Sequence, residues 1–261
     1  MMDDQEMLLK QVFGESSDSE DYEQQQPIQE SVCEDGSRST VDLNPIWEPI
    51  KEISGLWLCR DFLSPQQQST VLSAIQNEGW FTVASNNQAM RFGDLPYWAI
   101  ELSNSIREVV VLFGDQICES TESVGCGDKG TCIMPRNLLW REPLFDQLIV
   151  NVYQPGEGIC AHVDLMRFED GIAIVSLESS CVMHFTRVEE VCENGKGAKD
   201  QHVSRVPVHL TPGSVVLLWG DARYLWKHEI NRKPGFQIWE GKELNQKRRT
   251  SITLRKLCCD E

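Results

Sequence analysis

A histidine and an aspartate two positions apart, His162-x-Asp164, close the run NVYQPGEGICAHVD that begins at Asn151. The run reads as a strand, a turn at Pro155-Gly156, and a second extended stretch. Strand side chains alternate faces, so Asn151 and Tyr153 share one face, as do His162 and Asp164 if the second stretch is extended. A neutral imidazole and a carboxylate so placed bind one divalent metal from one side. They supply two of the three ligands of a 2-His-1-carboxylate triad, the arrangement of open non-heme Fe(II) sites.

The third ligand has four candidates: His184, His202, His209 and His228. His202 lies in a polar loop. His184 (VMHF) and His209 (VPVHL) read equally well as ordinary half-buried strand histidines. His228 is preferred for its setting: it follows the largely apolar VVLLWGDARYLW and comes 64 residues after Asp164, room for intervening strands to return beside the first. A second set of groups lies in RTSITLR, where Arg249, Ser251, Thr253 and Arg255 share a strand face. Six residues of strand span about 20 Å, so two arginines at its ends reach a small cavity from opposite sides. The planar guanidinium fork binds carboxylates bidentately. A dicarboxylate such as 2-oxoglutarate would use both features, one end chelating the metal and the other meeting a fixed cation. The plainer alternative is two surface arginines on an edge strand.

These residues need elements to hold them. Leu56, Leu58 and Phe62 suggest a first strand. Ser64-Pro65 gives a helix N-cap with proline at the first helical position; the helix runs to about Asn77, with Val71, Leu72 and Ile75 as its apolar stripe, and ends at Gly79. Residues 80–93 contain a possible extended pair around Asn86-Asn87. The spacing predicts a second helix over Trp98 to Leu112, with Ile100, Leu102, Ile106, Val109 and Val110 toward a core. Cys118 to Trp140, with Gly125, Gly127 and Gly130, reads as a long loop, and its Cys126 and Cys132 do not close a zinc site. Short strands follow: Leu148 to Tyr153, Ala173 to Leu177, Val182 to Phe185, Val206 to Leu210, VVLLW after the Pro212-Gly213 turn, Tyr224 to Ile230 and Arg249 to Arg255, with a polar loop over 192–202. The pattern predicts a mainly β (α+β) fold, a jelly roll with N-terminal helices packed on one side.

Composition narrows the class. A chain of 261 residues suffices for a large core. No run of about 18 apolar residues suggests a membrane helix, and the acidic start lacks signal-peptide features. Ten cysteines without a CxxC pair point to reduced thiols. Of the net charge of −16, residues 1–50 hold −11 and the remainder −5. The acidic segment 1–50 is expected to be a mostly disordered tail, apart from a short helix around Met7, Leu8, Leu9, Val12 and Phe13 that could dock on a protein partner; Ser17 and Ser19 sit among acids as phosphorylation candidates. The rest, 51–261, carries no overall basic footprint, although Lys227, Arg232, Lys233, Lys242, Lys247, Arg248 and Arg249 cluster in sequence.

In order, Asn151-x-Tyr153, Gly156-x-Gly158, His162-x-Asp164, His228 and Arg249-x5-Arg255 resemble the AlkB-type Fe(II)/2-oxoglutarate dioxygenases, over about Ile53 to Arg255 and most densely from Leu144 onward, with a catalytic core over about 144–257. The resemblance implies a double-stranded β-helix with His162, Asp164 and His228 on iron. It also implies 2-oxoglutarate and O2 as co-substrates: Arg249 and Tyr153 on the distal carboxylate, Asn151 and Arg255 toward the metal-bound end, and Ser251 among the contacts. Many nucleic-acid demethylases of the family carry Asn where this chain has Ser251. With MRFEDGIAIVSLESSCVMHF and GDARYLWKHEI, that difference makes the chain similar to the AlkB homologue 8 branch, whose dioxygenase domain hydroxylates a modified wobble uridine in tRNA; the homologue 6 branch is next. No RRM signature precedes the domain. The expected reaction is hydroxylation or oxidative demethylation of a modified base in RNA, tRNA or DNA. Side-chain hydroxylation or demethylation of a protein is the alternative, and an idle adaptor acting through the acidic tail is a third reading, against which the intact triad and arginines speak. Trp80, Phe81, Phe92 and Tyr97 would stack on a base or pack the core. A monomer in the nucleus or cytoplasm is expected.

Overall fold

Two antiparallel sheets face each other, and the chain crosses repeatedly between them. The computed structural model describes residues 46–83, 85–119, 132–188, 205–231 and 233–258. The chain divides into two units, Met1–Asn44 and Pro45–Glu261. The first lies outside the described residues, and with it the expected docking helix, Ser17 and Ser19. Cys126 and the three glycines beside it, the loop over 192–202 with His202, and Arg232 also lie outside.

The second unit runs β1 (Trp47–Pro49), β2 (Leu56–Cys59), α1 (Pro65–Asn77), β3 (Gln88–Phe92), α2 (Tyr97–Glu119) and α3 (Arg136–Leu139). It continues with β4 (Gln147–Tyr153), β5 (Ile159–His162), β6 (Ile172–Leu177), β7 (Cys181–Arg187), β8 (Arg205–Leu210), β9 (Val215–Leu218), α4 (Asp221–Tyr224), β10 (Trp226–Ile230), β11 (Ile238–Trp239), β12 (Lys242–Glu243) and β13 (Arg249–Arg255). The larger sheet has the order β1-β2-β9-β6-β13-β4-β3 and the smaller β5-β10-β7-β8. From β4 on, the chain passes back and forth between them, with β4, β6, β9 and β13 in the larger and β5, the β7–β8 hairpin and β10 in the smaller, while β11 and β12 pair as a separate ribbon. This is a double-stranded β-helix.

The two faces of the larger sheet differ because its strands alternate. Leu148, Val150, Ala173, Val175, Val215, Leu217, Ile252 and Leu254 pack with α1 and α2 in one apolar core. The other face looks across to the smaller sheet. Its residues include Asn151, Ser176, Arg249, Ser251, Thr253 and Arg255, all buried. Paired registers align them: Ser251 is opposite both Asn151 and Ser176, and Arg255 is opposite Gln147.

α1 begins where Ser64-Pro65 places it. The Ser64 hydroxyl accepts from the Gln67 amide at 3.3 Å, and the Gln67 side chain accepts from the Ser64 amide at 2.8 Å, a reciprocal box. α2 begins at Tyr97 and runs on to Glu119, beyond Leu112. Ala99, Leu102, Ser103, Ile106 and Val110 form its buried stripe at helical spacing; Ile100 falls off the stripe and is exposed rather than in the core. The segment expected as one loop from Cys118 is helical at its start and again at α3, where Leu138 and Leu139 are buried. The extended pair expected at 80–93 is a single strand, β3, on the edge beside β4. VVLLW ends as a strand at Leu218, and the stretch before His228 opens with a turn of helix.

Residues 47–49 belong to the folded unit. Trp47 is buried in the apolar core, and β1 adds an antiparallel strand to β2. A chain starting at Pro45 is therefore expected to keep the stability of the full chain in urea denaturation, since the deleted residues offer little apolar surface. A chain starting at Lys51 should lose about 3–5 kcal/mol with the buried tryptophan.

Candidate active site

Register decides which histidines meet. β10 lies between β5 and β7, with His228 directly opposite His162 on one side and Phe185 on the other. The two imidazole rings are 4.3 Å apart between centroids. Glu229, one residue on, is opposite His184. Alternation therefore turns His184 to the far face of the smaller sheet, where Phe236 packs against it edge-on. His209 is opposite Val182, two residues from His184, and stacks on Trp239 at 5.2 Å. Neither joins the cluster.

β5 ends at His162, so Asp164 sits just beyond the strand rather than in it. What brings its carboxylate to the histidines is an ion pair with Arg255. One Asp164 oxygen is 3.8 Å from His228 Nε2. Donor atoms of His162, Asp164 and His228 all lie within 4.8 Å of one another. Asp164 and His228 are buried, His162 partly so.

Burial alone would raise the Asp164 carboxyl, but Arg255, His228 and His162 together hold it well below the usual carboxylate range. Burial, reinforced by His162, lowers the His228 imidazole to about 3. His162 Nδ1 is 2.8 Å from the Cys160 carbonyl oxygen. In the neutral ring only an N–H can face a carbonyl, so Nδ1 carries the proton and Nε2 keeps its lone pair. An ionised carboxylate, a neutral His228 imidazole and the His162 ring fit a divalent transition metal.

β13 is interior, between β4 and β6, which removes the edge-strand alternative for its arginines. Arg255 donates to Gln147 Oε1 at 3.1 Å, and its guanidinium lies 4.9 Å over the Phe168 ring. Arg249, at the other end, lies 4.5 Å over Tyr153 and reaches the Ser176 hydroxyl at 3.5 Å. It is 4% exposed, yet no carboxylate among the described residues pairs with it. Burial pushes the Tyr153 phenol up, against the pull of Arg249, so it remains a hydroxyl donor. Asn151 accepts from Gln88 at 2.7 Å. Arg248 points the other way and pairs with Glu178. Lys227, Lys233, Lys242, Lys247 and Arg248 are exposed, whereas Arg249 leaves that basic cluster for the interior.

Several contributors escaped the sequence reading. Gln88 and Gln147 are polar residues at strand positions that pair with Asn151 and Arg255; only register reveals them. Arg223 is 2% exposed, and its sole signal is a charge inside the apolar stretch before His228. Of the aromatics, Trp80 and Phe81 pack against the core, Trp80 under the Arg91 guanidinium at 4.4 Å. Phe92 and Tyr97 are exposed.

Residues 105–255 match the 2OG-Fe(II) oxygenase superfamily, and the chain belongs to that superfamily, whose members use Fe(II), 2-oxoglutarate and O2. Among the relatives it resembles are AlkB-type proteins. It is 30% identical over 222 residues to the tRNA (carboxymethyluridine(34)-5-O)-methyltransferase alkbh8 of Xenopus tropicalis, a match covering 78% of this chain and 32% of that protein. It is 27% identical over 227 residues to the alkylated DNA repair protein ALKBH8 homolog of Arabidopsis thaliana, covering 78% and 59%. With the uncharacterized protein L905 of Acanthamoeba polyphaga mimivirus it shares 26% over 214 residues, 79% of this chain and 87% of that one. The chain thus spans about a third of the Xenopus relative's length. The solved structure of OsALKBH1 shares the fold, with a TM-score of 0.53 at 15% identity over 78% of this chain and 97% of its own.

The Arg255–Asp164 pair has a consequence for the metal-free protein. Arg255→Met leaves the Asp164 carboxylate buried without its cation, at a cost of roughly 3–5 kcal/mol. Urea denaturation in chelator is expected to show that loss, whereas Arg248→Met, which removes an exposed partner of Glu178, should cost no more than about 1 kcal/mol.

Proposed function

We propose that His162, Asp164 and His228 hold Fe(II), and that this enzyme oxidises a substituted base in RNA, a tRNA uridine foremost. Arg249 and the Tyr153 hydroxyl hold the distal carboxylate of 2-oxoglutarate. Asn151, Ser251 and Arg255 line the metal-bound end, where Arg255 also orients Asp164. When bound, iron and 2-oxoglutarate supply the oxidising equivalent from O2, with succinate and CO2 as co-products. The observation that carries the reading is the pairing of a three-donor cluster with a buried arginine that lacks an acid. A guanidinium confined between two sheets calls for an anion, and a strand's length away lies a site fitted for a divalent metal.

The likeness to two ALKBH8 relatives, one of which is named for tRNA carboxymethyluridine at position 34, supports a nucleobase substrate. The exposed lysines at 227, 233, 242 and 247 supply positive charge on a domain whose overall balance is otherwise acidic. A carbon oxidised next to a base nitrogen leaves as formaldehyde; a carbon elsewhere keeps its hydroxyl.

Nucleoside mass spectrometry of RNA from cells with and without the protein tests the substrate. A modified uridine that changes in tRNA supports the reading, and unchanged RNA nucleosides with an oxidised protein side chain overturn it. For the site, Asp164→Ala and His228→Ala should abolish 2-oxoglutarate decarboxylation while His184→Ala retains it. Arg249→Ala should raise the KM for 2-oxoglutarate by about two to three orders of magnitude, the equivalent of roughly 3–5 kcal/mol. Arg249→Lys should recover little, because a point charge does not match the carboxylate fork.

A further inference from the structure

We propose that Arg223 and Asp170 form a reciprocal clamp that locks the segment carrying Asp164 to the segment carrying His228, and so sets the metal affinity of the site. This rests on the reading of His162, Asp164 and His228 as the iron site. Asp164 begins an irregular stretch that ends at β6, and Asp170 lies six residues along it. Arg223 lies in α4, five residues before His228. Each segment reaches into the other's backbone. Arg223 donates to the carbonyl oxygens of Asp164 at 2.9 Å, Leu165 at 2.7 Å and Phe168 at 3.1 Å. In return Asp170 accepts from the Gly220 amide at 2.9 and 3.1 Å, and from the Gly171 amide at 2.8 Å.

The arrangement is more than filling. A buried guanidinium whose hydrogen bonds all end on carbonyls of one irregular segment gives up hydration for geometry; a methionine would fill the same volume without that loss. Its planar fork holds three carbonyls that follow no strand or helix pattern, which a lysine point charge cannot do. The segment so held includes Phe168, on whose ring Arg255 rests while pairing with Asp164. Arg223 therefore bears on Asp164 twice, through its own carbonyl and through the floor beneath its cation. The far end is tied as well: Arg141 donates to the Gly171 carbonyl at 2.9 Å and to the Leu144 carbonyl at 2.8 Å. On the other side, the Trp219 amide donates to Gly55 O at 2.9 Å and the Ala222 amide to Ser54 O at 3.0 Å, so the turn bearing Arg223 is anchored to the turn that leads into β2. Both are positioning residues; neither offers an atom to the metal.

Groups that orient ligands typically change metal affinity by about 10–100-fold when removed. The experiment measures Mn(II) dissociation constants by electron paramagnetic resonance, with 2-oxoglutarate present, on full-length protein stripped of metal. Folding is checked by circular dichroism at the assay temperature. Arg223→Met and Asp170→Ala should each weaken Mn(II) by about 10–100-fold in folded protein. Arg223→Lys should recover little of the loss, and the double variant should fall short of the product of the two single effects. Wild-type affinity in folded Arg223→Met or Asp170→Ala overturns the clamp. If the Arg223 variants do not fold, Asp170→Ala, whose side chain is only partly buried, decides by the same criterion. Asp164→Ala separates this outcome from failure of the underlying reading: undiminished Mn(II) binding in that variant removes the metal site itself, and the clamp with it.

Discussion

Three guanidinium groups and one carboxylate are buried in or beside the space between the two sheets, and accommodating them shapes this molecule. Arg223, Arg249, Arg255 and Asp164 are all nearly inaccessible to water. Isolated charges in such a place cost several kcal/mol each, so each needs a partner or a ligand. Asp164 and Arg255 satisfy one another. Arg223 meets three backbone carbonyls through its two terminal nitrogens. Arg249 has an aromatic ring and a hydroxyl but no acid among the described residues, which makes it the cation most in need of an anion from outside the protein.

A sheet with two unlike faces makes this possible. Alternate residues of β4, β6, β9 and β13 supply Leu, Ile, Val and Ala to the helix-covered core. The same backbone sends Asn151, Ser176, Arg249, Ser251 and Arg255 the other way. The apolar face carries the burial that drives folding, at about 25 cal/mol for each Å² removed from water. The polar face is then free to be chosen for chemistry. Because the interior strand β13 is hydrogen-bonded on both sides, its arginines sit on a backbone that cannot slip by one residue without exchanging the two faces.

This division explains what was legible in the sequence. In RTSITLR the period of two is uninterrupted, so the shared face of Arg249, Ser251 and Arg255 could be read before any partner strand was known. The Ser64-Pro65 cap likewise contains its own explanation within four residues. The choice among His184, His209 and His228 did not. What selects His228 is the pairing of β5 with β10, strands some 65 residues apart in sequence, and one step of register separates His228 on the inner face from the residue paired with His184.

The parts that escaped are those without a period. Asp164 was expected in an extended run with His162, but the strand stops, and the carboxylate is positioned instead by contacts with β13 and α4. No local pattern encodes that, since the residues concerned are separated by some 60 to 90 positions in the chain. What remains in such a segment is an anomaly of type: a charge where neighbours are apolar. Arg223 in VVLLWGDARYLW is such an anomaly, and so is Gln237, 1% exposed and hydrogen-bonded to both the amide and the carbonyl of Val182. A polar side chain that folding places out of water is retained only if it finds its partners there. In irregular chain those partners are backbone groups that no strand ladder or helix satisfies. A lone charged or amide side chain inside an apolar run is therefore a sequence-level sign of a brace between irregular segments, even when neither its partner nor its purpose can be read.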